Sequence, residues 1–443
     1  MLGSFSGGAG FNFAGEGAPL PGGFDLVGVP GRTDTVAVFA IDLHDSNSKE
    51  SVGRRSLFWD RERQSIFSFG TSNLLHVPYF FKENMAGKLL IMRLSSAMLA
   101  PSAALARRRG GGARGARALS SAPMTSFFKG VYPIMATPFN PDETLDLDGF
   151  RKSIAFMVDA GAQGATITGV LGESNRMTDK EREALIRVAV DVAGTCGRPF
   201  RVCVGTSHAG ISATADLSQM AQDLGADAVM VTPTKELAPT PDDMLVELYA
   251  RVAKKCPGLP IVLQDHPAST QVHMSVPLLC RIVLEVPTVT CIKLESLPTP
   301  AKIAQVRQKW AQVPPKQECT ILTGLGALYG GFDLEQGTEG FMTGFAFPEI
   351  LAAMNHAAQA GDMERAHALY ARFLPLMVFE QQPGVAVRKE LYRRRGLLQS
   401  GHVRAPAPSS VSPVLAKALE KLLVRTFGSG CDLTKPLPAE VFT

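Results

Sequence analysis

From Gly130 onward, eight short apolar runs recur roughly every 25–30 residues, with helical patterns between them. They are 131-VYPIMAT-137, 165-ATITG-169, 201-RVCVGT-206, 227-DAVMVTP-233, 260-PIVLQD-265, 289-VTCIKL-294, 320-TILTG-324 and 340-GFMTG-344. Their β-branched, largely non-alternating make-up suits strands buried on both faces, as in a parallel sheet. Eight strand–helix units in about 220 residues match the size of an α/β TIM (β/α)8-barrel. The competing architecture is an open doubly wound sheet, which would carry a Gly-rich phosphate loop after its first strand. The first strand here runs instead into 137-TPFNPD-142, which has no glycine.

Start and stop signals place helices between the runs. Thr178 and Glu181 have the spacing of a capping box ahead of 184-ALIRVAVDVAG-194. Thr240 before Pro241 reads as an N-cap followed by proline at the first helical position. Gly161, Gly225 and Gly258 stand where helices should stop. Residues 362–381 and 385–396 read as further helices. A last one spans 412–425, with Val414, Leu415, Leu419 and Leu422 at helical spacing. The reading is thus a barrel over 126–350, C-terminal helices over 351–426 packed outside it, and a tail over 427–443.

Charge and composition separate this part from what precedes it. Residues 1–125 carry +5 and residues 126–443 carry −1, within a total of +4. The barrel has no bulk basic field to draw it to nucleic acid or anionic lipid. No apolar run reaches the roughly 18 residues of a membrane helix. The seven cysteines show no CxxC or Cys/His cluster, which argues for a reducing compartment and against a structural metal site. Residues 1–91 lack a clear period and read as disordered, or as an extraneous upstream extension with translation starting at Met92. Residues 92–125 hold six arginines, many small and hydroxyl residues and no acid. That is the composition of an organelle transit peptide, for a mitochondrion or a plastid. A basic linker in a cytoplasmic protein is the alternative.

In a TIM barrel the active site lies at the C-terminal ends of the strands. The polar residues there include Thr137, the loop 169-GVLGES-174, Gln264, Asp265, His266, Lys293 and Thr343. Lys293 ends an apolar run. An unpaired cation so placed would shift toward the neutral amine, which attacks a ketone to give a Schiff base. The alternatives are a lysine reaching solvent at the strand end, or an ion pair with Glu295. In the second loop, Gly169 and Gly172 flank Val170 and Leu171, so successive backbone N–H groups can turn inward and bind a carboxylate. Glu173 reads as structural. Gln264 does not titrate, which leaves His266, Asp265, Glu295, water or the substrate to move protons.

These pieces fall in a recognisable order: 136-ATPF-139, Gly169-x-x-Gly172-Glu173-Ser174, Val231-Thr232-Pro233, 264-QDHP-267 and Ile292-Lys293. Over about residues 128–400 the set resembles the dihydrodipicolinate synthase and N-acetylneuraminate lyase family. The resemblance implies a class I aldolase or lyase, a carbon–carbon or carbon–oxygen lyase whose Lys293 forms an imine with a pyruvate-like 2-oxo acid. It implies no metal and no organic cofactor, a backbone contact from near Met342, and a homo-oligomer, often a tetramer. The departures mark a divergent branch. Val170 and Leu171 stand where the family commonly has hydroxyl residues, and Gln264 replaces its tyrosine. Ser269 replaces the synthase arginine, and Thr234-Lys235 its tyrosine pair. A non-catalytic member that binds a small carboxylate or serves as an assembly partner is the other reading these losses leave open.

Overall fold

The computed structural model of the chain describes residues 126–381 and 384–443, and upstream of them only the backbone of six short strands. The chain divides into two compact units, residues 1–112 and 113–443. In the first, Phe24–Leu26, Thr35–His44, Ser51–Asp60 and Ser65–Phe69 form an antiparallel sheet, and Phe80–Glu83 pairs with Leu89–Met92. The run 35-TVAVFAIDLH-44 is rich in the β-branched and aromatic residues that strands favour, so strand stands here where the sequence suggests disorder. The stretch read as a transit signal lies, after Met92, outside the described residues.

The second unit holds eight parallel strands: β1 (Gly130–Val131), β2 (Gly164–Ile167), β3 (Arg201–Gly205), β4 (Ala228–Val231), β5 (Ile261–Asp265), β6 (Val289–Leu294), β7 (Thr320–Thr323) and β8 (Gly340–Phe341). From β2 to β8 each strand pairs with its sequence neighbour, and β8 pairs with β1. The bridge Ile134–Thr166 joins β1 to β2 and closes the ring. The expected barrel is thus the observed fold. Its first strand is shorter than 131–137, because Pro133 has no N–H for the ladder. Pairing resumes where Ile134 N donates to the Thr343 carbonyl at 2.9 Å, which also carries the end of β8.

Helices α1 (Leu147–Asp159), α2 (Asp179–Thr195), α3 (Ile211–Asp223), α4 (Asp242–Lys255), α5 (Val276–Glu285), α6 (Thr299–Gln312), α7 (Gly330–Glu335) and α8 (Pro348–Gln359) follow the strands in turn. The boundary drawn at 350 therefore falls inside α8, the last barrel helix. Both halves of the Thr178–Glu181 capping box form. Gly161, Gly225 and Gly258 take φ of 83°, 93° and 74°, the left-handed turn that ends a helix. At α4 the start shifts by one residue: Pro241 is itself the cap, and Asp242 and Asp243 fill the first turn, where the helix dipole favours acids.

Three further helices, α9 (Met363–Gln381), α10 (Val385–Arg394) and α11 (Pro413–Phe427), pack outside the barrel. In α11 the buried positions are Leu419 and Leu423, while Val414 is 79% exposed, so the apolar face is rotated from the expected one. Buried ion pairs tie these helices down. Arg388 binds Glu380 at 2.7 Å, and Arg395 binds Glu349 at 2.5 Å with its guanidinium over Phe156 and Phe347. Among the described residues, no helix is long and apolar enough to cross a membrane.

Candidate active site

The apolar strands read as non-alternating in sequence but divide sharply in space. Ile261, Leu263, Ile292 and Leu294 join the large core between strands and helices. Val262, Cys291, Leu322 and Met342 join a smaller cluster inside the barrel. Strand periodicity then sends Gln264 and Lys293 inward, at the C-terminal end of the ring. The register sets them side by side, Gln264 opposite Lys293 and Lys293 opposite Leu322.

Lys293 is buried, as expected, but it is not unpaired. Its Nζ lies 3.4 Å from Oε2 of Glu295, two residues on along the same face. Glu295 is itself buried and tightly held. Gln264 Nε2 donates to Oε2 at 2.6 Å, and Leu325 N donates to Oε1 at 2.9 Å. Burial alone would raise the Glu295 carboxyl. Lys293, His266, the Leu325 N–H and the Gln264 amide outweigh it and hold the group below its usual carboxylate range. His266 stands close enough to feel both charges. Burial pulls its imidazole below the ordinary value, with Glu295 opposing and Lys293 adding to the shift. Ser269 Oγ lies 2.7 Å from its Nδ1.

The turn 169-GVLGES-174 sits over the same interior. Leu171 packs on the inner cluster, and a Cβ on Gly169 would lie 3.3 Å from Ile134 and Met230. Val170–Gly172 form a single tight turn, and Val170 is 47% exposed at the rim. The N–H groups of Val170 and Leu171 donate to no acceptor among the described residues. Thr137 fastens the turn from below, its hydroxyl donating to the Gly172 carbonyl at 2.6 Å. On β8 the Met342 side chain fills the interior, its N–H donates to the Thr323 carbonyl at 2.9 Å, and its own carbonyl accepts no N–H among the described residues.

Two of the residues weighed from sequence face elsewhere. Asp265 follows Gln264 by one position and so points outward, where Lys302 Nζ meets it at 2.6 Å. Burial lifts its carboxyl above the usual range while Lys302 opposes. It is a structural pair and no candidate for proton transfer. Glu173, at φ 58°, turns away to meet Lys389 at 2.5 Å, Arg176 at 2.8 Å and the Arg404 N–H at 3.0 Å. The structural reading of Glu173 therefore agrees with its surroundings.

Residues 127–423 match the Dihydrodipicolinate synthetase family. The L-2-keto-3-deoxyarabonate dehydratase of Azospirillum brasilense is 33% identical over 294 residues, 63% of this chain and 89% of that protein. The 4-hydroxy-tetrahydrodipicolinate synthase of Rhizobium meliloti is 26% identical, covering 67% of this chain and 97% of the relative. The crystal structure of dihydrodipicolinate synthase from Rhodopseudomonas palustris superposes with a TM-score of 0.64 at 30% identity, covering 69% of this chain and 100% of that one. A prophage protein of the same family from E. coli K12, solved in complex with pyruvate, gives 0.61 at 26% identity, covering 68% of this chain and 99% of that one.

Proposed function

The chain belongs to the dihydrodipicolinate synthetase family and is a lyase of the class I aldolase type, and from that premise we propose that it dehydrates a 4-hydroxy-2-oxo acid through an imine at Lys293. The observation that carries this reading is the placement of Lys293. It is the one lysine the described barrel turns into its own interior, at the end where such folds do chemistry. The substrate carboxylate lies on the free N–H groups of Val170 and Leu171, which hold an anion without a charged side chain. Lys293 Nζ attacks the 2-oxo carbon, and loss of water leaves an iminium. The iminium draws electrons from C3, so the C3–H bond weakens and a hydroxyl on C4 can depart. The Met342 carbonyl, which accepts no N–H among the described residues, accepts a proton-bearing group of the bound adduct.

Two things favour dehydration over the synthase reaction. The dehydratase from Azospirillum is more alike in sequence than the Rhizobium synthase. Ser269 and Thr234-Lys235 also stand where the synthase branch has its arginine and tyrosine pair, and Ser269 is engaged with His266. The test is borohydride reduction in the presence of pyruvate or 2-keto-3-deoxyarabonate. Peptide mass should place the reduced adduct on Lys293, and Lys293→Arg should abolish it, because a guanidinium does not attack a carbonyl. Labelling of another lysine would overturn the assignment. Condensation of pyruvate with aspartate semialdehyde at about 1 s⁻¹ or faster would overturn the substrate reading. Absence of any adduct would return the chain to carboxylate binding or assembly.

A further inference from the structure

An imine at Lys293 solves only half of a dehydration. A proton must leave C3, and another must reach the hydroxyl departing from C4. The family's tyrosine is absent, and Gln264 in its place does not titrate. Asp265 faces the helices and is bound to Lys302. Glu173 is consumed by Lys389, Arg176 and Arg404. His266 lies in the loop beyond β5, its Nδ1 engaged with Ser269. Among the described residues, Glu295 is the carboxylate at the reactive nitrogen, 3.4 Å away.

The surroundings of Glu295 are built to aim it. Its two oxygens are held from different elements, by Gln264 on β5 and by the Leu325 N–H beyond β7. That N–H is presented by a costly loop: Leu325, Gly326 and Ala327 take φ of 46°, 64° and 63°, three left-handed residues in succession, two of them not glycine. Gly324 supplies the space, since a Cβ there would lie 2.2 Å from Glu295 Cγ. A carboxylate needed only to neutralise Lys293 requires neither the second anchor nor the strained loop that delivers it.

We propose that Glu295 is the catalytic acid–base residue of this site; the proposal rests on the imine at Lys293. In the first half, Glu295 takes the C3 proton. The C–H pair becomes the C2–C3 double bond, and the iminium pair returns to nitrogen, giving an enamine. In the second half, the enamine nitrogen pushes back, a C3–C4 double bond forms, and the C4–O bond breaks. Glu295 gives its proton to the departing oxygen, so water leaves and the carboxylate is restored. Hydrolysis of the conjugated iminium then frees Lys293. Gln264 and the Leu325 N–H are positioning groups that keep the carboxylate beside C3.

Pyruvate separates the two roles, because it can form the imine and exchange its C3 protons but has no C4. Wild-type protein in deuterium oxide should exchange the pyruvate methyl protons, read by proton NMR. Glu295→Gln should still be reduced onto pyruvate by borohydride at Lys293, yet lose exchange and dehydration by about 100-fold or more. Glu295→Asp, which keeps the carboxylate, should recover at least about tenfold of the exchange lost in Glu295→Gln. Wild-type exchange rates in Glu295→Gln would overturn the proposal and leave the Lys293 reading standing. Equal loss in Glu295→Asp and Glu295→Gln would also overturn it, showing a structural role. Failure of the wild type to be trapped would instead remove the imine on which both readings depend.

Discussion

Lys389 lies 2.5 Å from Glu173; Lys293 lies 3.4 Å from Glu295. Both lysines are buried, and so are both glutamates. Around Lys389 the contacts close. Its Nζ also donates to the His402 carbonyl at 2.7 Å and sits 4.5 Å from the Phe139 ring centroid. Around Lys293 they stay open, for no other partner than Glu295 reaches its Nζ among the described residues. A buried charge is tolerable only when its hydrogen-bonding capacity is met. Meeting it fully produces a fastener. Meeting it partly leaves a nitrogen with open sides, where the proposed imine would form.

Substitutions can break this contrast from either side. Lys293→Ala should lower turnover by about 10⁴-fold or more, while its Tm falls less than that of Lys389→Met; a larger Tm loss would mean Lys293 is the fastener. Lys389→Met should cost about 3–5 kcal/mol in urea denaturation, since Glu173 is left short of its main counter-charge. Borohydride trapping at Lys293 should survive in the folded fraction of that variant. Gly324→Ala, whose Cβ would lie 2.2 Å from Glu295 Cγ, should reduce kcat by about ten- to a hundredfold, and steady-state kinetics with trapping at Lys293 intact would confirm it.

The smallest effect is in pH. Burial pushes the Lys389 ammonium down to about 8, with Glu173 opposing, from an ordinary 10.5. Between those values the unfolded chain holds a proton here that the folded chain has released. The contribution of this group to stability is therefore most unfavourable below about pH 8 and improves as pH rises toward 10.5. The unfolding free energy of wild type minus that of Lys389→Met should rise across this window; a flat difference would show that Lys389 stays charged in the fold.

The two lysines also differ in how far sequence exposes them. Lys293 is conspicuous because a cation ends the apolar run 289-VTCI-292, with Glu295 two residues on as its one local counter-charge. Lys389 sits in 388-RKELYRR-394, which reads as a solvent-facing helix, and its burial comes from elements more than 200 residues away in sequence. Glu295 is half legible. Period two puts it on the face of Lys293, but its anchors lie on β5 and beyond β7 and depend on strand register. Alternation would also have sent Asp265 outward, had the register of Gln264 been fixed first. The eight strands were legible from their spacing, and the ends of the first and last were not, because Pro133 interrupts a ladder that only the closed ring reveals.

The Glu173–Lys389 fastener bears on how this barrel could be recombined with its relatives. Glu173 belongs to the turn that offers the Val170 and Leu171 amides, whereas Lys389 belongs to α10, outside the barrel. A chimera joined after α8 would keep every residue of the proposed chemistry and still inherit the turn proposed to hold the substrate carboxylate unmoored, unless the donor helix brought its own cation to that position. The exchangeable module in this chain is therefore the barrel together with its C-terminal helices, and crossover points between them should yield folded proteins with weakened substrate capture.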